Sequence, residues 1–396
     1  MHLNLVLSFI LSVSYVDSLD QKSTPVVHHV QPHFHPPHPR VVPDTYLENP
    51  HHYNESIAHH KFRDMNFYGR HFKIRDEAGI IIGWIVGRHD SEGLISEAFS
   101  KILRVGNTTD PTQEYGLCTP HSLQKGGGRH SHAIVLDIGA NAGFYGLYSA
   151  AVGCYTYFFD IQVECLNWIR SSIHENQFHH TGVVPFPVGN VSRPVHLDIS
   201  SNGCHGTFTM SQTGNEWYLE SQKKPEPLDT KMVRLDDVFH DAMMEDTLPT
   251  IALIKIDTEG FETGIIASMH KLVRHVQKHT GHATVRNIVA EIAPVRWEGL
   301  PDKSQSRAEG AKIICDTLWD AGFHYVTVFI GWHKDTMVIE TREALEKHIT
   351  VGFANMGAYT QDFLFTRTHS RRNGSDVLLP DEELKITQKM MGWDVY

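Results

Sequence analysis

The sequence predicts an α/β fold built around a mostly parallel β-sheet. Two segments lead to this prediction, residues 135–145 (VLDIGANAGFY) and 254–262 (IKIDTEGFE), because each is an apolar run that ends in an acid and a glycine turn. The third observation is that runs with strand and helix character alternate along the chain. This alternation is typical of parallel strands joined by crossover helices, and such sheets bind ligands at the carboxyl edge of their strands.

The elements before the sheet are predicted from local patterns. Two β-like runs around an acidic turn indicate a hairpin between residues 72 and 86. Asp90 or Ser91 can cap a following helix, in which apolar residues from Leu94 to Leu103 fall on one stripe. This hairpin and helix form the N-terminal extension that leads into the sheet.

The elements of the sheet follow in order, each strand being a short run of β-branched, aromatic and aliphatic residues. The predicted strands are 133–137, 155–160, 183–187, 251–257, 287–291, 323–329 and 362–366, which makes a seven-stranded sheet. The predicted helices are 144–151, 164–176 and 262–279. Between 195 and 210 the alternation breaks into short polar and β-like pieces, which predicts an inserted hairpin.

The N-terminal residues indicate entry into the secretory pathway, lumenal or secreted. Residues 1–18 carry an apolar run that ends in Val16-Asp17-Ser18, which fits a signal peptide. The run is shorter than the ~20 residues of a spanning helix, so contact with a membrane is expected only if this segment is an uncleaved anchor. Residues 19–60 are rich in histidine and proline and predict a disordered linker.

The remaining boundaries place the hairpin and helix lead-in at 61–129, the main domain at 130–370 and a tail at 371–396. Sequons for N-glycosylation occur at Asn54, Asn107, Asn190 and Asn373. They have meaning only for a lumenal chain, in which each could carry a glycan on an exposed loop.

Charge and cysteine content exclude some classes. The net charge of −11 comes from 35 basic and 46 acidic residues, so a nucleic-acid partner is not expected. The five cysteines show no C-x-x-C spacing of a zinc or redox site. Cys154 and Cys165 are expected to be core thiols by their apolar neighbours, which leaves Cys118 and Cys204 as the favoured disulfide.

The two glycine turns resemble the DIGANxGxY and IKIDxEGxE segments of the FkbM-type family of S-adenosylmethionine-dependent methyltransferases. The resemblance covers about residues 72–367. It implies a Rossmann-like class I methyltransferase fold, with helices on both faces of the sheet. It also implies S-adenosylmethionine as the cofactor and oxygen as the typical methyl acceptor. For a lumenal protein we expect the acceptor to be a hydroxyl of a glycan or small molecule.

The residues expected to bind the cofactor lie after the first, second and fourth predicted strands and in the turn after the third. Gly139 and Gly143 let the backbone approach the ligand, and the helix that starts there presents N–H groups to a carboxylate. Asp160 can accept both ribose hydroxyls, or alternatively cap the next helix. The full set is Asp137, Gly139, Asn141, Gly143, Phe144, Asp160, Ile161, Gly189 and Asp257.

Three further expectations concern this cofactor site. Asp137 is expected to meet the methionine ammonium directly or through water. A nicotinamide fold is disfavoured because Asn141 replaces the middle glycine of G-x-G-x-x-G. A glycan on Asn190 would crowd the cofactor, so we expect that sequon to be unused.

A hydroxyl acceptor must lose a proton during methyl transfer, which requires a base near the carboxyl edge. The candidate catalytic residues are Asp257, Glu259, Glu291 and His205. A divalent cation held by clustered carboxylates is the alternative, and no metal site is predicted. For Lys255 we expect a structural ion pair with a neighbouring acid.

Two other classes of protein compete with the enzyme. One is a binding protein that keeps the fold but has lost turnover. It predicts that the cofactor-site residues are only partly retained, and the intact set Asp137, Asn141, Asp160, Asp257 and Glu259 disfavours it. The other is a secreted metal-handling protein that uses the histidine-rich segment. The second predicts that metal binding disappears when residues 19–60 are removed.

Overall fold

The computed structural model describes residues 42–43, 45–46, 71–75, 81–86, 133–151, 154–199, 226–258, 260–278, 280–297, 306–330, 335–352 and 360–367. All of them belong to the compact unit Val41–Tyr396. The predicted helix at 90–103, the histidine-rich run before residue 40, Glu259 and His205 lie outside the described residues. Within the described part, no helix has the length and apolar character needed to cross a bilayer.

Twelve strands are described. Two form the N-terminal hairpin, β1 (His71–Arg75) and β2 (Ile81–Val86), which pair antiparallel as the sequence predicts. The others, in chain order, are β3 (Ile134–Ile138), β4 (Tyr155–Phe159), β5 (Thr181–Val184), β6 (Arg193–Ile199), β7 (Glu226–Met232), β8 (Ile251–Ile256), β9 (Val285–Ile292), β10 (Tyr325–Ile330), β11 (Asp335–Ile339) and β12 (Gln361–Thr366).

The main sheet has eight strands in the order β11-β10-β12-β9-β8-β3-β4-β5. The five strands β9, β8, β3, β4 and β5 are parallel to one another. The pairs β9–β12, β12–β10 and β10–β11 are antiparallel. The predicted α/β fold with a mostly parallel sheet is therefore confirmed. The expected count of seven is one too low, because β11 adds an edge strand beside β10.

The helices cover both faces of this sheet. In chain order they are α1 (Phe144–Ala151), α2 (Val163–Asn176), α3 (Leu235–Val238), α4 (His240–Met244), α5 (Glu262–Ser268), α6 (Pro294–Trp297), α7 (Arg307–Thr317) and α8 (Arg342–Lys347). Leu147 of α1 and Ile169 of α2 pack with Leu253 on one face. Ile265 of α5 and Ile314 of α7 pack on the other.

The predicted helix over 262–279 is wrong in its second half. Helix α5 ends at Ser268, and only a 3-10 turn, Leu272–Arg274, follows. The buried carboxylate of Asp236 explains the break, because its Oδ1 accepts hydrogen bonds from the backbone N–H groups of Lys271 and Leu272, both at 2.9 Å. It caps this second turn as a separate element.

The predicted insertion hairpin is placed differently. Strand β6 pairs antiparallel with β7, which lies beyond residue 210. The sequence of β7, EPLDTKM, contains a proline and little apolar alternation, so the periodicity that predicts strands gives little signal there. Both strands form a two-stranded sheet apart from the main one.

Two other findings concern the cysteines and the predicted linker. Cys154 and Cys165 are buried, but both are disulfide-bonded, so the prediction that they are free core thiols is wrong. Cys315 is buried and free. In the predicted linker, Val42 is fully buried in the core and the ring of Tyr46 stands edge-on to Phe186. This short piece of the linker packs on the domain.

Candidate functional site

The glycine turn after β3 is fitted tightly to two neighbouring strands. Gly139 and Gly143 have φ angles of 70° and 83°, which favour glycine. The N–H groups of Gly139 and Ala140 both donate to the carbonyl of Phe159, at 2.9 and 3.1 Å. A Cβ on Gly139 would lie 1.8 Å from the carbonyl oxygen of Asp257. The turn therefore closes against the ends of β4 and β8.

Asp160, directly after β4, holds this turn from the other side. Its Oδ2 accepts from the N–H of Asn141 at 2.7 Å, and Asn141 has a positive φ of 51°. Its Oδ1 accepts from the N–H groups of Ile161 and Gln162, both at 2.8 Å. Burial raises the pKa of Asp160 to about 6, although these three bonds oppose the rise.

Asp137 and Lys255 form a buried pair beneath the turn. Asp137 has no exposed surface, and its Oδ2 accepts from the N–H of Gly146 at 2.8 Å. Lys255 Nζ lies 3.6 Å from Asp137 Oδ1 and 3.3 Å from Asp257 Oδ2, and donates to the carbonyl of Gly139 at 2.8 Å. The predicted structural role of Lys255 is confirmed. Burial raises the pKa of Asp137, opposed by the charge of Lys255.

Asp137 exposes no side-chain oxygen that could contact a ligand directly. The Oδ1 atom is buried and has no hydrogen-bond partner among the described groups. Its role toward the cofactor stays a prediction, and the geometry supports a role in holding α1 and the turn together.

The carboxyl ends of β8 and β9 bring three acids together. Asp257 follows β8 and its side chain is about a quarter exposed (24%). Glu291, near the end of β9, lies close enough to Asp257 for the two carboxyl groups to interact, and it faces Asp362 across the β9–β12 pair. Burial, followed by the charges of Asp257 and Asp362, raises the pKa of Glu291 far above its usual range. Glu291 is therefore protonated at neutral pH, and Lys255 Nζ lies beside the carboxyl group of Asp257.

Glu262 lies close to this group but is occupied by structural bonds. It is fully buried, and its Oε1 and Oε2 accept from the N–H of Gly260 at 2.6 Å and from Trp297 Nε1 at 2.9 Å. Burial raises the pKa of Glu262 to about 7. These bonds tie the start of α5 to α6.

The turn after β5 lies beside β7. Gly189 donates its N–H to the carbonyl of Val233 at 3.0 Å, and a Cβ on it would lie 2.4 Å from Met232 Sδ. Asn190 is exposed, with its carbonyl bonded to Arg234 at 2.6 Å. The expected absence of a glycan on Asn190 stays a prediction.

The structure thus brings most of the predicted site residues to one edge of the sheet. Phe144, the first residue of α1, and Ile161 are half-buried at this edge. Residues 259 and 205 fall outside the described part, so their roles stay predictions. The sequence reasoning missed Asp362, although its position at the start of an antiparallel last strand is a signal that it would reach this edge. No group of three or more His, Cys, Asp or Glu side chains in the described residues is arranged to hold a metal ion.

Comparison with known proteins finds a match to one family model. Residues 137–325 match the model of the methyltransferase FkbM domain. A search of curated proteins found no match. Among solved structures, the precorrin-6y C5,15-methyltransferase from Geobacter metallireducens GS-15 is similar at 10% identity and a TM-score of 0.26, over 60% of this chain and 82% of that one.

Two further solved structures are similar to this chain. A putative SAM-dependent methyltransferase from Streptococcus mutans has 12% identity and a TM-score of 0.30, over 75% of this chain and 55% of that one. SMU.776, described as a putative methyltransferase complexed with SAH, has 11% identity and a TM-score of 0.30, over 75% and 56% of the two chains.

Proposed function

We propose that this chain is an S-adenosylmethionine-dependent methyltransferase that methylates a hydroxyl group of a glycan or small molecule in the secretory pathway. The match of residues 137–325 to the methyltransferase FkbM domain supports the transfer of a methyl group. The observation that carries this proposal is that the carboxyl groups of Asp257 and Glu291 interact beside the turn at 139–143, against which the backbone of Asp257 packs. A carboxyl pair at this edge is suited to removing the proton of a hydroxyl nucleophile.

The residues at the turn have donors and acceptors that suit the cofactor. A carboxylate offers about four lone-pair sites, and backbone N–H groups use three of those on Asp160. One site is left, so Asp160 would accept one ribose hydroxyl directly. Val163, two residues after Ile161, exposes 66% of its surface and offers an apolar face to the adenine. The start of α1 would receive the carboxylate of the methionine part.

The bound cofactor supplies an activated methyl group and a neutral thioether as leaving group. The chain's own task is alignment of the acceptor and removal of its proton. Asp257 Oδ2 faces Lys255 at 3.3 Å, which leaves Oδ1 to accept the proton of the acceptor hydroxyl. Glu291 in its protonated form adds no second negative charge beside Asp257. Lys255 then holds Asp257 in place while the proton moves.

Two observations support the proposed location in the secretory pathway. Disulfides persist mainly in oxidising compartments, and both Cys154 and Cys165 are disulfide-bonded. The apolar run at residues 1–18 fits a signal peptide. A lumenal enzyme meets glycans as its most abundant hydroxyl-bearing partners, which is the reason to place a glycan first among the acceptors.

The test is mass spectrometry of a glycan panel and of small hydroxylated metabolites after incubation with isotopically labelled methyl donor. We expect labelled O-methyl groups on one class of acceptor. Asp257→Asn should lower kcat by about 10²–10⁴-fold with cofactor binding retained. Asp229→Asn, an exposed acid paired with His196, is the control and should retain full activity.

The alternative outcomes are distinct. A protein that binds S-adenosylhomocysteine but labels no acceptor is the non-catalytic binding protein. Label on nitrogen or carbon atoms alone would contradict the assignment of a hydroxyl acceptor. Full activity in Asp257→Asn would contradict the role of the carboxyl pair.

A further inference from the structure

Three arginines gather at the end of the sheet that is opposite the carboxyl pair. Arg286 is the second residue of β9, and Arg367 follows β12 directly, with its backbone N–H donating to the carbonyl of Arg286 at 3.4 Å. Arg274 ends the 3-10 turn after α5. Glu291 is five residues along β9 from Arg286, about 17 Å at the usual rise of a strand. This cluster is therefore separate from the candidate methyl-transfer site.

The arginines contact carbonyl groups and one aromatic ring, and none of them forms an ion pair within the described part of the chain. Arg367 Nε donates to the carbonyl of Val285 at 2.8 Å, its Nη1 donates to that of Ala321, and its guanidinium lies 4.3 Å from the centre of the Phe323 ring. Arg274 donates to the carbonyls of His270 and Asp316, at 3.0 and 2.6 Å.

Two guanidinium donors in this cluster are buried without a partner among the described groups. They are Nε of Arg286 and Nη2 of Arg367. A buried donor that lacks an acceptor costs about 1–3 kcal/mol, and more when it is charged. Burial lowers the pKa of Arg286. Burial, followed by the charges of Arg286 and Arg274, lowers the pKa of Arg367 to about 10.

Two other cations of the described chain show a different arrangement, in which the positive charge is paired with acids. Arg342 pairs with Asp316, Asp320 and Glu346, and the buried Lys255 pairs with two acids. The chain as a whole carries a net charge of −11, so acids are abundant. Three neighbouring arginines, two of which have an unpaired buried donor, therefore indicate a place for an external negative group.

We propose that Arg274, Arg286 and Arg367 bind a phosphate or sulfate group. A tetrahedral oxyanion has the several acceptor oxygens that fanned guanidinium donors need. It would satisfy Nε of Arg286 and Nη2 of Arg367 together, and would remove the mutual repulsion of the three charges. The ligand class is a phosphate or sulfate monoester, or the free ion.

The test compares thermal unfolding of the full chain in sodium phosphate, sulfate and chloride at equal ionic strength. Wild-type protein should melt about 2–4 °C higher in at least one of the two oxyanions than in chloride. The oxyanion with the larger increment distinguishes a phosphate from a sulfate ligand. Equal melting temperatures in all three salts would overturn the proposal.

The variant Arg286→Met gives a more specific test, because it should lose the oxyanion increment without a lower Tm in chloride. The variant removes a buried unpaired charge, so its Tm in chloride should equal or exceed that of the wild type. Its increment in phosphate or sulfate should be lost. Arg193→Met, at an exposed arginine of β6, is the control and should keep the increment. An Arg286→Met variant with the full increment would contradict the site.

A direct measurement covers the case in which the variant does not fold. Calorimetric titration of inorganic phosphate, and separately of sulfate, into the wild-type chain should give saturable heat with one site per chain. The absence of saturable heat with both ions would overturn the proposal, whatever the variants do.

Discussion

Lys255 is the residue that joins the two motif segments. Its ammonium group donates a hydrogen bond to the carbonyl of Gly139 in the first motif and lies near Asp137. It also lies near Asp257, which follows the strand of Lys255. It also lies 5.3 Å from the centre of the Tyr145 ring. One buried cation thus fixes the turn against the carboxylate that we propose as the base.

Removal of the Lys255 ammonium group should lower the free energy of unfolding. Lys255→Met leaves Asp137 and Asp257 without their counter-charge, and breaking a buried pair costs about 3–5 kcal/mol. We expect urea unfolding to show a loss of this order. The control is Lys312→Met, in which an exposed i,i+4 pair with Asp316 is lost, for about 1 kcal/mol at most. Equal losses in the two variants would contradict the role of Lys255.

The carboxyl group of Asp160 gives a prediction for cofactor binding. Its pKa is raised to about 6, and its ionised form accepts a ribose hydroxyl more strongly than its protonated form does. The affinity for S-adenosylhomocysteine should be constant from pH 7 to 8 and fall by up to about tenfold per pH unit below pH 6. Calorimetric titrations between pH 5 and 8 measure this. An unchanged affinity at pH 5 would contradict the contact.

At the residue level, the sequence was informative where a residue ends a strand. Asp160 and Asp257 were placed at the carboxyl edge because each follows an apolar run, and both are there. The environment of Asp137 was not predictable, since its burial depends on Gly146 of α1 and on Lys255 from a distant strand. The contact between Glu291 and Asp362 likewise follows from strand register, which one sequence does not reveal.

The helices pack closely enough that two glycines should respond in opposite directions. A Cβ on Gly310 in α7 would lie 2.2 Å from Trp297 Cζ3, whereas one on Gly264 in α5 would meet only a backbone nitrogen at 3.8 Å. Gly310→Ala should therefore destabilise the protein by about 1–3 kcal/mol through overpacking. Gly264→Ala should stabilise it by about 0.5–1 kcal/mol through helix propensity.

The measurement is the free energy of unfolding in urea for both variants against the wild type. The opposite signs are the critical result, because helix propensity alone favours alanine at both positions. Stabilisation by both substitutions would show that α7 does not pack against Trp297 as described.

At the level of elements, long periodic segments were predicted well and capped or irregular ones were not. Helix α1 agrees in both bounds and α2 differs by one residue. Helix α7 was not predicted, although Ser306 and Glu309 form a capping box at its start, a signal readable from sequence. The short helix α5 was overextended because the break is made by Asp236, which is distant in the chain.

The molecule as a whole buries several acids with raised pKa values. Burial is the main cause for Asp137, Asp160, Glu262 and Glu291. A raised pKa means that the native state binds more protons than the unfolded state, so stability falls as pH rises. The window runs from the unfolded values of 3.8 and 4.5 to about 6 for Asp160 and about 7 for Glu262.

Thermal unfolding should therefore give a higher Tm at pH 5.5 than at pH 8, by several degrees. Glu262→Gln should reduce this difference, because it keeps the residue neutral at both pH values. A Tm that rises steadily from pH 5.5 to pH 8 would contradict the buried, proton-binding state of these acids.

The central claim is that the methyl donor lies along the carboxyl edge between the ends of β4 and β8. A crystal structure of the chain with S-adenosylhomocysteine tests it most directly. The account predicts a ribose hydroxyl within hydrogen-bond distance of Asp160, with the amino-acid part at the start of α1 and the sulfur facing Asp257. Ligand bound at another surface, or an edge filled by protein side chains with no ligand present, would contradict it.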